Sequence, residues 1–291
     1  MPVRRTLLFI PGNNPAMMIN APILGADTII FDIEDAVAIA DKDAARILIR
    51  NTIQTLDFGK VEVAVRINDI STQYWQDDLR TVVPVKPSFL QLPKIEEPAH
   101  ILELNEFVTK LEKENGIPVG AVKFGPILET ALGIENAMPI GQTCKERLMG
   151  LFVGGEDLVT SLCALRTRKS HELLYARQRI IVAARALGLI PYDTVYPDVE
   201  DIEGLIEDTK FSREIGFPGR GVISPRHVET VNELFSPTPQ EIQYATEVMD
   251  IIEEAKRAGK GAIMLYGKMI DAPIVARARQ ILETAGQIIG S

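Results

Sequence analysis

Short apolar segments alternate along this chain with longer amphipathic ones. The apolar segments predict eight strands, at 6–10, 28–33, 61–67, 89–92, 122–128, 148–153, 190–192 continued by 194–196, and 221–223. Between them, apolar residues recur at three- and four-residue intervals and predict helices, among them 42–56, 99–114, 170–187 and 199–215. Apolar strands separated by helices favour a parallel sheet whose two faces are both covered.

This alternation predicts an α/β fold, a (β/α)8 TIM barrel, over residues 1–235. An open doubly wound sheet is the alternative. However, the first strand leads into Pro11-Gly12-Asn13-Asn14-Pro15 and lacks the glycine-rich turn of a dinucleotide site. A barrel does not need residues 236–291, which we expect to form a C-terminal helical extension packed on a neighbouring subunit. The pattern after the eighth strand predicts helices near 225–235, 238–258 and 272–289, with a further segment at 262–269.

Composition and charge argue against several classes of function. The 291 residues include 31 basic and 40 acidic side chains, a net charge of −9, and no basic block that could follow a phosphate backbone. Cys144 and Cys163 form neither a disulfide framework nor a zinc-ligand pattern, which favours a reducing cytoplasm. The first apolar run ends at Pro11, too soon for a signal sequence or a membrane span. We therefore expect a cytoplasmic protein that binds neither nucleic acid nor membrane.

Acidic residues follow two successive predicted strands, where a TIM barrel presents its catalytic groups. Glu129 and Asp157 are about one βα unit apart and should lie side by side at one rim. Two carboxylates without a nearby histidine are typical ligands of Mg²⁺ or Mn²⁺. The pair therefore suggests a metal site, with helix capping as the alternative for each residue.

A second acidic cluster ends the second predicted strand. Strand alternation puts Asp32 and Glu34 on one face, with Asp35 at the rim. We interpret the three as part of a site, with a helix cap and a solvated loop as the alternative. Arg66 closes the third strand, and a buried arginine needs an acidic partner. Its partner is either a substrate carboxylate, which we favour, or these acids.

Lys94 and Asp271 each have two interpretations. Lys94 ends the fourth strand, where it could form a Schiff base in a metal-free aldolase. We favour its role as a charge partner of the acidic cluster. Asp271 follows Gly267-Lys268-Met269-Ile270 in the tail, and the residues alone favour a helix cap. The three histidines share no metal-ligand spacing.

Taken together, these segments resemble the citrate lyase beta-subunit group of the HpcH/HpaI aldolase/citrate lyase family. The matching segments are 4–15 (RRTLLFIPGNNP), 25–27 with 31–37 (GAD and FDIEDAV), 65–68 (VRIN), 127–133 (ILETALG), 154–158 (GGEDL), 193–196 (DTVY) and 267–271 (GKMID). They stand in the same order over nearly the whole chain. The wider family includes malyl-CoA and citramalyl-CoA lyases.

The resemblance implies an enzyme that cleaves a carbon–carbon bond in a 3-hydroxyacyl thioester without a redox cofactor. For this group the substrate is citryl on an acyl carrier protein, and the products are oxaloacetate and an acetyl thioester. Carried over by position, the resemblance assigns Glu129 and Asp157 to Mg²⁺, Arg66 to a substrate carboxylate, Phe9 and Glu156 to the substrate pocket, and Asp271 to catalysis in a neighbour's active site. Asp32, Glu34, Asp35 and Lys94 are then supporting residues.

The chain departs from the CoA lyases in the loop and helix after the first strand. Those enzymes tend to carry basic residues where this chain has Asn14 and Asn20. The departure favours a carrier-protein substrate, and hence an acyl carrier protein subunit and a CoA/citrate transferase subunit as partners. The candidates for contact with the carrier are Arg4, Arg5, Arg166, Arg168 and Lys169.

Two other functions stay open. One is a stand-alone citramalyl-CoA or malyl-CoA lyase, and the other is a barrel that serves only as a scaffold subunit. The tail and the resemblance both imply a homo-oligomer, a trimer or a hexamer, with shared active sites.

Overall fold

The computed structural model describes residues 3–257 and 264–290. Within these residues, eight parallel strands form a nearly closed barrel. The strands are β1 (Thr6–Pro11), β2 (Thr28–Asp32), β3 (Glu62–Arg66), β4 (Phe89–Leu92), β5 (Lys123–Leu128), β6 (Gly150–Val153), β7 (Ile190–Tyr192) and β8 (Arg220–Val222). Each pairs with its neighbour in the chain, β8 pairs with β1, and a bridge between Asp193 and Arg220 spans the gap after β7. The predicted TIM barrel is confirmed.

Helices follow the strands and cover the barrel. They are α1 (Pro15–Asn20), α2 (Lys42–Thr55), α3 (Trp75–Val82), α4 (Pro98–Glu114), α5 (Ala131–Glu135), α6 (Ala137–Gln142), α7 (Gly155–Ser161), α8 (Leu174–Leu187), α9 (Ile202–Ile215) and α10 (Pro225–Phe235). The predicted helix at 199–215 begins only at Ile202, because the Asp201 side chain accepts the N–H of Gly204 (2.9 Å) and starts the helix there.

One predicted strand segment is wrong. Residues 194–196 do not continue β7, which ends at Tyr192. The N–H of Thr194 donates to the Asp193 carboxylate (2.8 Å), and the Thr194 hydroxyl accepts the N–H of Gly155 (2.8 Å). These contacts hold the segment in the loop above the barrel.

The barrel interior is apolar at its centre and polar one layer higher. The central layer consists of Leu7, Ile30, Ala64, Phe89, Ile127, Phe152 and Tyr192. Side chains alternate along a strand, so the residue two positions later points to the same face. Those later residues are Phe9, Asp32, Arg66 and Gln91 on the strands, and Glu129, Gly154 and Thr194 just beyond the ends of β5, β6 and β7. The polar layer therefore lies toward the carboxyl ends of the strands.

The described chain divides into two compact units, 4–232 and 233–257 with 264–290 and Val3. The second unit contains α11 (Pro239–Arg257), the antiparallel strands β9 (Met264–Leu265) and β10 (Lys268–Met269), and α12 (Ala272–Gly290). Its core is formed by Ala245, Val248, Ile270 and Ala278. Residues 258, 262 and 263 of the predicted tail segments lie outside the described residues. The packing of this unit on a neighbouring subunit stays a prediction.

Across the described ranges, no helix combines the length and apolar character needed to cross a membrane.

A buried ionic network joins two of the covering helices to the barrel. Arg177 on α8 donates to both carboxylate oxygens of Asp208 on α9 (2.9 and 3.0 Å), and Arg220 on β8 donates to the same group (2.8 Å). Arg177 also donates to Asp193 (2.9 Å). Burial raises the pKa of Asp208, but the two guanidinium groups outweigh burial and hold that pKa well below its usual range. This carboxylate stays charged and, together with the carboxylate of Asp193, balances the two buried cations.

We expect Asp208→Asn to lower the free energy of unfolding by about 3–5 kcal/mol, because it leaves buried guanidinium groups short of an anionic partner. Urea denaturation at pH 7 measures the change. The matched control is Asp77→Asn, which breaks an exposed pair with Arg80 (2.6 Å) and should cost about 0–1 kcal/mol. Equal costs for the two variants would contradict the account of the network.

Candidate active site

A pocket of about 300 Å³ opens at the carboxyl ends of the barrel strands. Among the predicted site residues, those lining it are Phe9, Asp32, Asp35, Arg66, Glu129, Glu156 and Asp157. Glu34 and Lys94 lie next to these lining residues, since Glu34 contacts Arg66 and Lys94 contacts Glu129. The strand-end residues that sequence reasoning singled out are thus brought together.

Arg66 is held by the acids that end β2. Its Nε and Nη2 donate to Oδ1 and Oδ2 of Asp32 (2.8 and 2.6 Å), a bidentate pair. Its Nη1 lies 2.9 Å from Oε2 of Glu34, without the alignment of a hydrogen bond. The guanidinium group stacks 5.0 Å above the ring of Phe9. The structure shows the pairing with the acids, and contact with a substrate carboxylate stays a prediction.

Lys94 connects the two acidic clusters. Its Nζ donates to Oε1 of Glu34 (2.8 Å), and its backbone N–H donates to Oε1 of Glu129 (2.7 Å). Burial lowers the pKa of Lys94, but the hydrogen bond and charge of Glu34 outweigh burial and raise it. The amine therefore stays protonated at neutral pH, which makes it a poor nucleophile. This geometry supports the charge-partner interpretation over a Schiff base.

Glu129 is buried among other acids. Only 4% of the residue is exposed. Burial, together with the negative charges of Glu34 and Asp157, raises the pKa of Glu129 to about 8. It is not a helix cap, because Thr130 caps α5 by accepting the N–H of Gly133 (3.1 Å). The carboxylate is thus placed where its charge is unfavourable unless a cation joins it.

Asp157 lies in the first turn of α7 and lines the same pocket. Gly154, just before that helix, makes room for Glu129, since a Cβ at this glycine would stand 2.3 Å from Oε2 of Glu129. Neighbouring Glu156 is exposed and accepts from Nε of Arg166 (2.8 Å). Among the described residues, Glu129 and Asp157 form no ion pair and can hold a metal, whereas Glu156 already has a partner.

The donor set fits a divalent cation of the Mg²⁺ type. Three acids, Asp32, Glu34 and Asp35, share two cations, Arg66 and Lys94. Asp157 is a further carboxylate in the pocket, and Glu129, whose pKa is raised to about 8, takes up its charge most readily with a cation beside it. Among the described residues, no group of three or more His, Cys, Asp and Glu side chains forms a complete cage. Mg²⁺ does not require one, because it is usually held by one or two carboxylates and keeps several waters.

Asp271 belongs to the second unit and is exposed. Its Oδ1 accepts the N–H of Ile274 at the start of α12 (3.1 Å). The structure thus shows the helix cap that the residues alone suggested. Its assignment to a neighbour's active site stays a prediction.

The basic candidates for carrier contact do not form one patch. Arg4 and Arg5 precede β1, at the amino end of the barrel, and pair with Glu62 and Asp27. The other three, Arg166, Arg168 and Lys169, follow α7 at the carboxyl end, where Arg166 pairs with Glu172 (2.8 Å) and Arg168 with Asp201 (2.7 Å). Parallel strands all start at one end, so these two groups lie at opposite ends.

Three buried polar residues in the pocket, Gln91, Asp193 and Thr194, were not identified from the sequence as site residues. Gln91 lies on β4 between Leu90 and Leu92, and Asp193 follows β7. The only local signal for Gln91 was one amide within an otherwise apolar strand. Asp193 stands in a matched segment but received no role.

Comparisons with known proteins find relatives over nearly the whole length of the chain. The model of the HpcH/HpaI aldolase/citrate lyase family matches residues 5–225. The citrate lyase subunit beta of Leuconostoc mesenteroides subsp. cremoris is 42% identical over 97% of this chain and 93% of its own length. The mitochondrial citramalyl-CoA lyase of Rattus norvegicus is 36% identical over 98% of this chain and 87% of its own length.

A solved structure is also similar. It is the citrate lyase beta subunit of Mycobacterium tuberculosis complexed with oxaloacetate and magnesium, at 29% identity and a TM-score of 0.68. The match covers 81% of this chain and 98% of that chain.

We expect Glu129→Gln to stabilise the metal-free protein. The pKa of Glu129 in the fold, about 8, lies above its value in the unfolded chain. Stability is therefore full below the unfolded pKa and is lost as pH rises through about 8. In EDTA and at a pH above 8, the Tm of the variant should exceed that of the wild type by at least about 2–4 °C. This is the shift that 1 kcal/mol produces in a domain of similar size. The gain should vanish near pH 4.

The same variant should lose the rise in Tm that Mg²⁺ gives the wild type, because a neutral amide is a weaker ligand. Glu156→Gln is the matched control, since Glu156 lines the pocket but pairs with Arg166. Thermal unfolding with EDTA or Mg²⁺ measures both effects. An undiminished Mg²⁺ response in Glu129→Gln would place the metal elsewhere.

Proposed function

The chain belongs to the HpcH/HpaI aldolase/citrate lyase family and is a lyase, and we propose that it is the beta subunit of a citrate lyase. In this proposal it cleaves citryl-acyl carrier protein to oxaloacetate and acetyl-acyl carrier protein, with Mg²⁺. The observation that carries the proposal is the buried, cation-deficient pair Glu129 and Asp157 in the pocket that Arg66 also lines. Carbon–carbon cleavage of this type develops negative charge on oxygen atoms, and a cation held by such a pair would stabilise that charge.

Cleavage removes the proton of the tertiary hydroxyl while the bonding electrons leave with the thioester as an enolate. Negative charge develops on two oxygens. When bound to Glu129 and Asp157, Mg²⁺ would supply Lewis-acid polarisation of the substrate's hydroxyl and carboxylate oxygens. Arg66, fixed by Asp32, would hold a substrate carboxylate in one orientation. Lys94 fixes the Glu129 side chain through its backbone N–H.

We assign the proton-transfer role to Asp271 of a neighbouring subunit. An exposed carboxylate at a helix start can exchange a proton with the hydroxyl or with the enolate carbon, a contribution typically worth about 10²–10⁴-fold. The proposal therefore requires a homo-oligomer, which we take to be a trimer or hexamer. Each active site would combine the pocket of one chain with the tail of another.

A carrier-protein substrate is favoured by the first helix. Asn14 caps α1 by accepting the N–H of Met17 (3.1 Å), and Asn20 donates to the carbonyl of Ala16 (2.8 Å). Both amides are used locally and neither is a cation for CoA phosphates. An acyl carrier protein and a transferase subunit that makes the citryl thioester are the implied partners, in the cytoplasm. The alternative is a stand-alone citramalyl-CoA lyase, which is supported by the 36% identity to the rat enzyme.

We expect Mg²⁺-dependent cleavage of citryl-acyl carrier protein that exceeds cleavage of citryl-CoA, malyl-CoA and citramalyl-CoA. Oxaloacetate release, coupled to malate dehydrogenase, measures the first two, and acetyl-CoA release measures the others. EDTA should abolish the activity. Faster cleavage of citramalyl-CoA would support the alternative enzyme, and no cleavage of any thioester would support the scaffold interpretation. Trapping of substrate on Lys94 by borohydride would establish the Schiff-base mechanism instead.

We expect Asp271→Asn to lower kcat by about 10²–10⁴-fold while the rise of Tm with Mg²⁺ stays unchanged. If Asp271 acts across subunits, oligomers mixed from Asp271→Asn and Glu129→Gln chains should regain activity. A mixed site then combines an intact pocket with an intact tail acid. No recovery in verified mixed oligomers would restrict Asp271 to its own chain, and wild-type turnover of Asp271→Asn would remove it from the mechanism.

A further inference from the structure

Gln91 on β4 is a buried side chain with no protein partner. It is completely buried, and neither its Nε2 nor its Oε1 has a hydrogen bond among the residues that the structure describes. Buried amides are nearly always paired, because an unpaired donor or acceptor loses its contacts with water and gains none. An unpaired amide inside a barrel therefore calls for a ligand.

The position of Gln91 directs this amide into the pocket. Gln91 lies two residues beyond Phe89 of the apolar central layer, so both side chains point inward. It pairs in register with Arg66 on β3 and with Gly125 on β5. Gly125 offers no side chain, and a Cβ there would stand 2.8 Å from the ring of Phe152. Gln91 thus lines the floor of the pocket beside Arg66.

Among the buried side-chain atoms of the pocket that the structure describes, the other one without a hydrogen-bond partner is Oδ2 of Asp193. A carboxylate accepts hydrogen bonds, whereas an amide Nε2 offers two N–H donors. Asp193 also lies on the far side of the barrel, after β7. An anionic group of the substrate would therefore be placed on the Gln91 side, between its amide and the guanidinium of Arg66.

Resting on the proposed function, we propose that Gln91 is a specificity-determining residue whose amide donates to the carboxymethyl carboxylate of the citryl group. That carboxylate is retained in oxaloacetate. A citramalyl group carries a methyl at the same position and releases pyruvate, and a malyl group carries a hydrogen and releases glyoxylate. A site with a committed hydrogen-bond donor rejects an analogue that lacks the acceptor, because the donor then stays unpaired. Gln91 thereby separates four-carbon from three-carbon 2-oxo acids.

Binding of the two 2-oxo acids tests this role without turnover. Calorimetry on freshly purified, Mg²⁺-loaded protein gives the Kd of oxaloacetate and of pyruvate. Gln91→Met keeps the length of the side chain and removes its hydrogen bonds. It should weaken oxaloacetate binding about 10–100-fold, as expected for a hydrogen bond to a charged group, and change pyruvate binding less than about 2-fold. Gln91→Glu should weaken oxaloacetate binding further by charge repulsion.

The Tm of each variant shows that it is folded, and Gln91→Met should raise Tm in ligand-free protein because the unpaired amide is gone. Equal weakening of both acids, or no change for either, overturns the assignment, as does a wild type that binds oxaloacetate no better than pyruvate. The proposed function fails separately, if the wild type does not cleave citryl thioesters. Product binding stays measurable in that case.

Discussion

The structure depends on one electrostatic constraint, the crowding of carboxylates at the carboxyl end of the barrel. Glu129 and Asp157 line a pocket that also borders the acids at the end of β2. The arginine and the lysine that contact those acids carry too little positive charge to balance all of these carboxylates. Burial and this repulsion together raise the pKa of Glu129 to about 8. The site is therefore destabilising by itself and favourable once a divalent cation joins it.

The barrel stays folded despite this repulsion because the contacts that stabilise it lie outside the acidic site. One layer below the acids, the interior is filled by apolar side chains, including the stacked rings of Phe152 and Tyr192 (centroids 4.7 Å apart). Between the barrel and two of its covering helices, a buried network combines two cations with two acids, namely Arg177, Arg220, Asp193 and Asp208. Charge is thus balanced where it supports the fold and left unbalanced where a cation and an anionic substrate are to bind.

Local patterns in the sequence predicted the strands, and with them the relative positions of the site residues. Eight apolar segments separated by helices specify a barrel, and the chemistry of a barrel lies at its strand ends, so Glu129, Asp157 and Arg66 could be grouped in advance. The sequence could not decide between the possible partners of Arg66, because the acids after β2 and a substrate carboxylate both suit a guanidinium group; only the folded structure shows the pair with Asp32. The role of Gln91 could not be predicted either, because its lack of a hydrogen-bond partner is visible only in the folded structure.

The most direct test of the account is to locate the metal. Crystals grown with Mn²⁺, which replaces Mg²⁺ at oxygen sites, give an anomalous difference map that shows the ion without any assumption about activity. The account predicts one strong peak in the pocket, within about 2.0–2.3 Å of carboxylate oxygens of both Glu129 and Asp157. A peak bound to other side chains, or an empty pocket at saturating Mn²⁺, would contradict it.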